Sequence, residues 1–171
     1  MKGTKDLELV YSDKTKDLVG FVDADGASQE HRQAILGYVF IVDKRAMLWS
    51  SKKQELVTLS TTEAKYVAAT HTAKEAVWLR RLLREIFSPA EVPTTLYSDS
   101  QSAIALAHGG KYHTCMKHIN ICYHFIHYII EASNIRLIYC PTDDQTADTP
   151  TKALLSAKAK HFANTMGLCT V

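Results

Sequence analysis

The chain of 171 residues has no long apolar run. Its densest stretches are Tyr38-Val39-Phe40-Ile41-Val42 and Phe125 to Ile130, and His127 interrupts the second. A membrane span needs about 20 apolar residues in a row, so no membrane partner is expected. The opening Met1-Lys2-Gly3-Thr4-Lys5-Asp6 lacks the apolar region of a secretory signal. An excess of charge is also missing. Lys and Arg number 20, Asp and Glu 18, and the formal net charge is +2. This excludes a binder that works through bulk positive charge, so any nucleic-acid contact has to come from local patches. The four cysteines, at 115, 122, 140 and 169, show no CxxC spacing and read as reduced, partly buried thiols. No internal repeat or low-complexity tract is visible. What remains is the length of one ordinary domain, with 46% hydrophobic residues to build a core.

The front of the chain reads as strands. Leu7-Glu8-Leu9-Val10-Tyr11 alternates, Asp13 to Asp17 is a polar turn, and Leu18-Val19-Gly20-Phe21-Val22-Asp23 follows, which predicts a hairpin. Tyr38 to Val42, the turn Asp43-Lys44-Arg45 and Ala46-Met47-Leu48-Trp49-Ser50 extend it into an antiparallel meander. Ser60-Thr61-Thr62-Glu63 is a capping box, a hydroxyl residue with glutamate three later. It opens a long helix with the stripe Ala69, Ala76, Leu79, Leu83 and Ile86. Ser88-Pro89 ends that helix, and Thr94 to Ser98 is a short strand. Asp99 to Ala107 reads as a short helix closed by Gly109-Gly110. A third helix runs from about Lys117 to Ser133. Ile135 to Tyr139 is a strand, and the tail from about Gln145 is helical apart from Pro150. A meander followed by alternating strands and helices predicts an α/β fold: a five-stranded mixed β-sheet flanked by α-helices. Its sites belong at the carboxyl ends of the parallel strands.

The acids fall at element boundaries. Asp23 ends a strand in Phe21-Val22-Asp23-Ala24-Asp25, and Asp99 ends another in Leu96-Tyr97-Ser98-Asp99. Glu63 sits in the first turn of the long helix, and Asp148 lies in the polar segment after the last strand. Any one of them is an ordinary turn former or helix-dipole partner. Brought together they would repel, by about 4 kcal/mol for a pair about 4 Å apart at an effective dielectric near 20. A divalent ion turns that repulsion into attraction, and an all-carboxylate set suits Mg²⁺ or Mn²⁺ rather than Zn²⁺. Such a cluster fits two-metal phosphoryl transfer.

These residues and others in order carry a resemblance. It runs through Gly20-Phe21-Val22-Asp23-Ala24-Asp25, Gly37-Tyr38-Val39-Phe40 and Trp49-Ser50-Ser51-Lys52-Lys53-Gln54. It continues in Leu59-Ser60-Thr61-Thr62-Glu63-Ala64-Lys65-Tyr66, Glu75-Ala76-Val77-Trp78-Leu79 and Ser98-Asp99-Ser100-Gln101-Ser102-Ala103. It closes with Lys117-His118-Ile119, Tyr123-His124-Phe125-Ile126 and Gln145-Thr146-Ala147-Asp148. The chain resembles the RNase H domain of copia-type LTR-retrotransposon Pol polyproteins over nearly its whole length. The resemblance implies the RNase H-like fold and a metal-dependent endonuclease that hydrolyses the RNA strand of RNA–DNA hybrids during reverse transcription. It implies two Mg²⁺ ions, replaceable by Mn²⁺, held by Asp23, Glu63, Asp99 and Asp148. Ser100 and Gln101 are expected at sugar or phosphate, and Lys52, Lys53, Gln54, Lys117 and His118 at the nucleic-acid backbone. The implied partners are the hybrid and the reverse transcriptase domain of the same polyprotein, with a cytoplasmic setting in a virus-like particle if the chain is part of an active element and an unspecified intracellular one otherwise. On this reading residues 1–17 are the connection from the reverse transcriptase, 18–155 the domain and 156–171 a helical tail.

Several positions depart from the pattern the resemblance implies. Gly26 stands where tryptophan is usual, Cys115 where arginine is, Asn120 where aspartate is, and Pro150 where a hydrophobic residue is. Asp25 is a rival to Asp23, and the resemblance favours Asp23. With Pro150 two residues after Asp148, a helix starting near Thr149 leaves Asp148 as its cap, and an earlier start kinks it. Two further readings stand beside the enzyme. One is a descendant that binds nucleic acid without turnover. The other is a zinc site drawn from His113, Cys115, His118, Cys122, His124 and His127.

Overall fold

A computed structural model describes residues 6–11, 17–25, 33–87, 92–109 and 120–170. The short strand β1 (Leu7–Leu9) comes first. It is followed by β2 (Leu18–Asp25), β3 (Ile35–Val42) and β4 (Arg45–Lys53). Then come the long helix α1 (Thr61–Ile86), β5 (Thr94–Ser98), α2 (Gln101–His108), α3 (Asn120–Glu131) and β6 (Ile135–Tyr139). The chain closes with α4 (Asp148–Thr151), α5 (Ser156–Thr165) and β7 (Leu168–Thr170). Five strands form one mixed sheet in the order β4-β3-β2-β5-β6. β2, β3 and β4 pair antiparallel, while β2–β5 and β5–β6 pair parallel. The expected five-stranded mixed sheet is therefore present.

Alternation along β2 and β3 explains why the sheet is covered on both faces. Leu18, Val22 and Ala24 of β2, with Leu36, Tyr38 and Phe40 of β3, join the main core with α1, α2 and α3. Val19 and Phe21 of β2, with Val39 and Ile41 of β3, form a second cluster with Met166. Strand side chains point alternately to opposite faces, so one strand serves two layers. α1 packs on the sheet through small side chains, with Ala64, Ala68, Ala69, Ala73 and Ala76 all buried beside Val67 and Leu79. Such a surface brings the helix backbone near the strands. Gly20 completes the contact, because a Cβ there would lie 2.6 Å from Leu96 and 2.8 Å from Phe40.

Three expectations about the periphery are corrected. β1 does not form a hairpin with β2. It pairs antiparallel with β7, Leu7 opposite Thr170 and Leu9 opposite Leu168, in a separate two-stranded sheet. The first and last segments of the chain therefore meet, and the tail ends in a strand rather than in helix. Tyr11 donates to the Ala46 carbonyl, and Ala46 N–H donates to the Met166 carbonyl at 2.8 Å, which ties both segments to β4. Long-range strand pairing of this kind has no local sequence signal. Ile86, placed on the buried stripe of α1, is 60% exposed at the helix end. The tail is two helices, α4 and α5, separated at Lys152.

Candidate functional site

β2 and β5 are adjacent and parallel, so the acids at their carboxyl ends arrive at the same edge of the sheet. Asp23 is 1% exposed near the end of β2, and Asp99 directly follows β5. Asp148 is brought beside them by α4. Two contacts seat that short helix. Gln145, fully buried, donates from Nε2 to the Val22 carbonyl at 3.1 Å, anchoring the approach to α4 on β2 itself. Gly37 of β3 leaves space beneath, since a Cβ there would lie 2.4 Å from Thr151 Cγ2 and 2.9 Å from Pro150 Cγ. Asp148 is the first helical residue and Pro150 the third, within the turn where proline needs no N–H partner. The proline therefore neither kinks the helix nor withdraws Asp148, which is 2% exposed.

The three aspartates are knitted together by lysines. Lys65 Nζ lies 3.1 Å from Asp23 Oδ1 and 2.6 Å from Asp99 Oδ1. Lys152 Nζ lies 2.9 Å from Asp23 Oδ2 and 2.8 Å from Asp148 Oδ1. Lys158 Nζ lies 3.3 Å from Asp148 Oδ2. Thr151 Oγ1 is 2.9 Å from Asp23 Oδ2, and Thr142 Oγ1 is 3.4 Å from Asp99 Oδ2. Each oxygen of the three carboxylates thus faces an ammonium or a hydroxyl. At Asp23 Oδ1 the match is ionic. The Lys65 ammonium, which donates to Asp99 Oδ1, stands against Asp23 Oδ1 as its counterion. Burial by itself pushes the Asp23 carboxyl up, but the Lys65 charge, with the hydrogen bond and charge of Lys152, outweighs it and holds the group below its ordinary value. Lys65 and Lys152 are disfavoured as cations by burial, yet the aspartates outweigh that and both are raised.

Glu63, expected as the fourth carboxylate, is engaged at the helix start. Ser60 Oγ accepts from Glu63 N–H at 3.1 Å, and Glu63 Oε2 accepts from Leu59 N–H at 2.5 Å. The capping box is therefore present in a variant that reaches one residue further back. Residues two apart on a helix project roughly 200° apart. Lys65 and Glu63 cannot both face the aspartates, and it is Lys65 that does. Among the described residues, no group of three or more His, Cys, Asp or Glu side chains is arranged to hold a metal ion. This covers Cys122, His124 and His127 of the zinc reading, while His113, Cys115 and His118 lie outside the described residues.

An open cleft of about 810 Å³ is lined by Asp99, Lys65 and Lys152, with Asp23 and Asp148 buried behind the two lysines. Ser100 and Gln101 line it beside Asp99, as expected, together with Asp25, Thr61, Thr62, Ser102 and Tyr139. Ser60 and Ser100 cap α1 and α2, so the amino ends of both helices border it. Lys52 and Lys53 are exposed, and they line a separate, smaller concavity at the β4 edge with His71 and Glu75. Lys52 pairs there with Glu55 at 2.9 Å. Gln54, expected at nucleic acid, is 5% exposed and donates to the Ala64 carbonyl at 2.8 Å. Its amide fixes the β4–α1 junction, since a buried side-chain amide has to be satisfied internally. Lys117 and His118 fall outside the described residues, as do Gly26 and Cys115.

Lys65, Lys152 and Thr151 belong to the site although the sequence does not single them out. A signal existed for Lys152, four residues after Asp148 and so on the same helix face. For Lys65 the only hint was that two acids ending apolar strands require a cation, and Lys65 is the base nearest the helix start.

No family model matches the chain. Curated relatives do. The chain is 37% identical over 155 residues to the retrovirus-related Pol polyprotein from transposon TNT 1-94 of Nicotiana tabacum. That match covers 90% of this chain and 12% of the polyprotein. It is 35% identical over 158 residues to the Pol polyprotein from transposon RE1 of Arabidopsis thaliana, covering 92% and 11%. The chain is similar over nine-tenths of its length to one segment of these retrotransposon Pol polyproteins. It spans about an eighth of the length of these Pol relatives or less. Its fold is that of RNase H. LC11-RNase H1, isolated from compost, superposes with a TM-score of 0.59 at 16% identity, covering 78% of this chain and 91% of that enzyme. The same enzyme in complex with an RNA/DNA hybrid superposes at 0.54, with 13% identity and coverage of 75% and 88%.

Proposed function

We propose that this Pol-related chain holds RNA–DNA hybrid in the cleft lined by Asp99, Lys65 and Lys152, and that it does so without divalent-ion turnover. RNase H fold and Pol kinship support hydrolysis of nucleic acid as the inherited activity. One observation separates binding from cutting here, namely that the carboxylates are already matched by the chain's own lysines. Three aspartates meet Lys65, Lys152 and Lys158, and Glu63 is turned to the helix cap. A two-ion centre requires carboxylate oxygens free for the metal and a net negative field. This donor set does not fit it. A dication about 4 Å from one ammonium is repelled by about 8 kcal/mol at an effective dielectric near 20, twice the figure for two unit charges.

The same lattice suits a polyanion. With the acids neutralised, the cleft presents hydroxyls and amides of Thr61, Thr62, Ser100, Gln101 and Ser102 at the amino ends of two helices. Helix amino ends and hydroxyl groups are natural phosphate contacts. Hybrid is recognised through groove shape and the 2′-hydroxyl rather than base sequence. The near-neutral net charge makes binding modest and sensitive to salt. A reverse transcriptase domain in the same polyprotein would supply the remainder of the grip.

Fluorescence anisotropy with a labelled RNA–DNA hybrid in EDTA, run beside a cleavage assay in Mg²⁺ or Mn²⁺, tests this. Hybrid should bind at low salt more tightly than DNA duplex, with no cut RNA. Absence of hybrid binding would remove the reading, and RNA cleavage abolished by Asp99→Asn would restore the hydrolytic one.

A further inference from the structure

We infer that Lys65 is a built-in cation that replaces a bridging metal ion, and that this single side chain is what closes the cleft to divalent ions. The inference rests on the reading above only for the identity of the cleft. Lys65 Nζ stands between Asp23 Oδ1 and Asp99 Oδ1, at 3.1 and 2.6 Å, which is where an ion shared by the two strand-end carboxylates has to sit. Its side chain is only 19% exposed. It is also fixed in direction. Ala64 and Tyr66, its chain neighbours, are each 1% exposed in the main core, so α1 cannot turn to present Glu63 instead.

Lys152 is different in kind. Both lysines line the cleft, but Lys152 caps the four-residue α4 and its side chain is 31% exposed against 19% for Lys65. A lysine so placed can turn its flexible stem to solvent and release Asp23 and Asp148. Lys65, nearer the core, has less room to do so. The geometry also says what residue would open the site. A glutamate oxygen on the same backbone stops roughly one bond, about 1.5 Å, short of the present ammonium position. A Mg²⁺–oxygen contact of about 2.0–2.1 Å then fits the gap between a carboxylate at 65 and those of Asp23 and Asp99. Lys65→Glu exchanges the ammonium for a fourth carboxylate beside the three aspartates.

The test is titration of the whole chain with Mn²⁺ alone, by calorimetry and by loss of the free-ion spin-resonance signal, on wild type, Lys65→Gln and Lys65→Glu. Wild type should show no saturable site at submillimolar Mn²⁺, and its melting temperature should not move with the ion. Lys65→Glu should show a saturable site in that range, where wild type shows none. It should melt lower than wild type without metal and recover when Mn²⁺ is added, as expected for a ligand that binds only the folded state. Lys65→Gln, which removes the ammonium without adding a carboxylate, should fall between. If Lys65→Glu fails to fold by circular dichroism, the glutamine variant against wild type decides. A saturable wild-type site as tight as either folded variant's would overturn the inference, and so would folded variants no better than wild type. The titration contains no nucleic acid, so failure of hybrid binding and failure of this inference are read separately.

Discussion

Phe40 and Asp23 lie on neighbouring strands at the same depth, 0% and 1% exposed, and are held by opposite forces. Around Phe40 the contacts are apolar. Gly20 makes room for the ring and for Leu96, and Tyr38 meets the ring edge-on with centroids 5.6 Å apart. Around Asp23 the contacts are two ammoniums and a hydroxyl. The first region is sensitive to volume and indifferent to pH. The second is sensitive to charge and tolerates a change of shape if the charge is kept. One sheet supports both because its strands run from the apolar middle to a polar carboxyl edge.

The sharpest way to separate the regions is to remove one anchor from each. Phe40→Ala should cost about 3–5 kcal/mol, the usual loss for an aromatic side chain deleted from a tight core. Urea unfolding measures it, and the loss should be the same at every pH between about 5 and 9. Asp23→Asn should cost about 2–3 kcal/mol, below the 3–5 of a wholly buried pair because Lys65 and Lys152 keep part of their solvent. Its loss should depend on pH. The Asp23 carboxyl is held below its ordinary value in the folded state. Its contribution is therefore complete above about pH 4 and disappears as pH falls through the lower folded value. Lys65 and Lys152 are raised, so their share is complete below about pH 10 and is lost only as pH rises through the higher folded values. In acid titrations followed by circular dichroism, Asp23→Asn should flatten the acid limb that Phe40→Ala leaves in place. Equal acid limbs in both variants would erase the distinction between the regions.

Gly37→Ala acts on the seam between them. Its Cβ would meet Thr151 Cγ2 and Pro150 Cγ, pushing α4 off β3 at a cost of about 1–3 kcal/mol. The displaced helix should also weaken the Asp148–Lys152–Asp23 link, visible as a smaller acid limb. The smallest effect is expected at the β4 edge. Lys52→Ala and Lys53→Ala should leave stability unchanged, since both side chains are exposed. If that edge touches the hybrid backbone, each should lower the slope of binding against salt by about 1. Unchanged slopes would confine the nucleic-acid contact to the aspartate cleft.

Much of this was legible in residue patterns. The meander, the helix opened by Ser60 and Glu63, the strands at 94–98 and 135–139 and the acids at the strand ends are all local features. Local features survive in the fold because propensity and burial agree there. The partner of β1 was illegible, because pairing with β7 is a contact across nearly the whole chain. Gln54 was misread for a related reason. A polar residue after Lys52 and Lys53 looks solvated in sequence, yet its amide is used to hold the Ala64 carbonyl.

The sequence by itself determined the class of fold and put Asp23, Glu63, Asp99 and Asp148 at element boundaries, since strand ends and helix starts are set by neighbours in the chain. Only the tertiary structure decided which side of α1 faces the three aspartates. In one dimension Glu63 is the site residue that the helix start offers, and nothing there singles out Lys65. The alanine-rich stripe of α1 has to lie on the sheet, and that packing sets the helix rotation. With the rotation set, Glu63 meets the Leu59 N–H and Lys65 meets Asp23 and Asp99. The character of the centre, a cation supplied by the chain in place of a fourth acid, follows from that rotation.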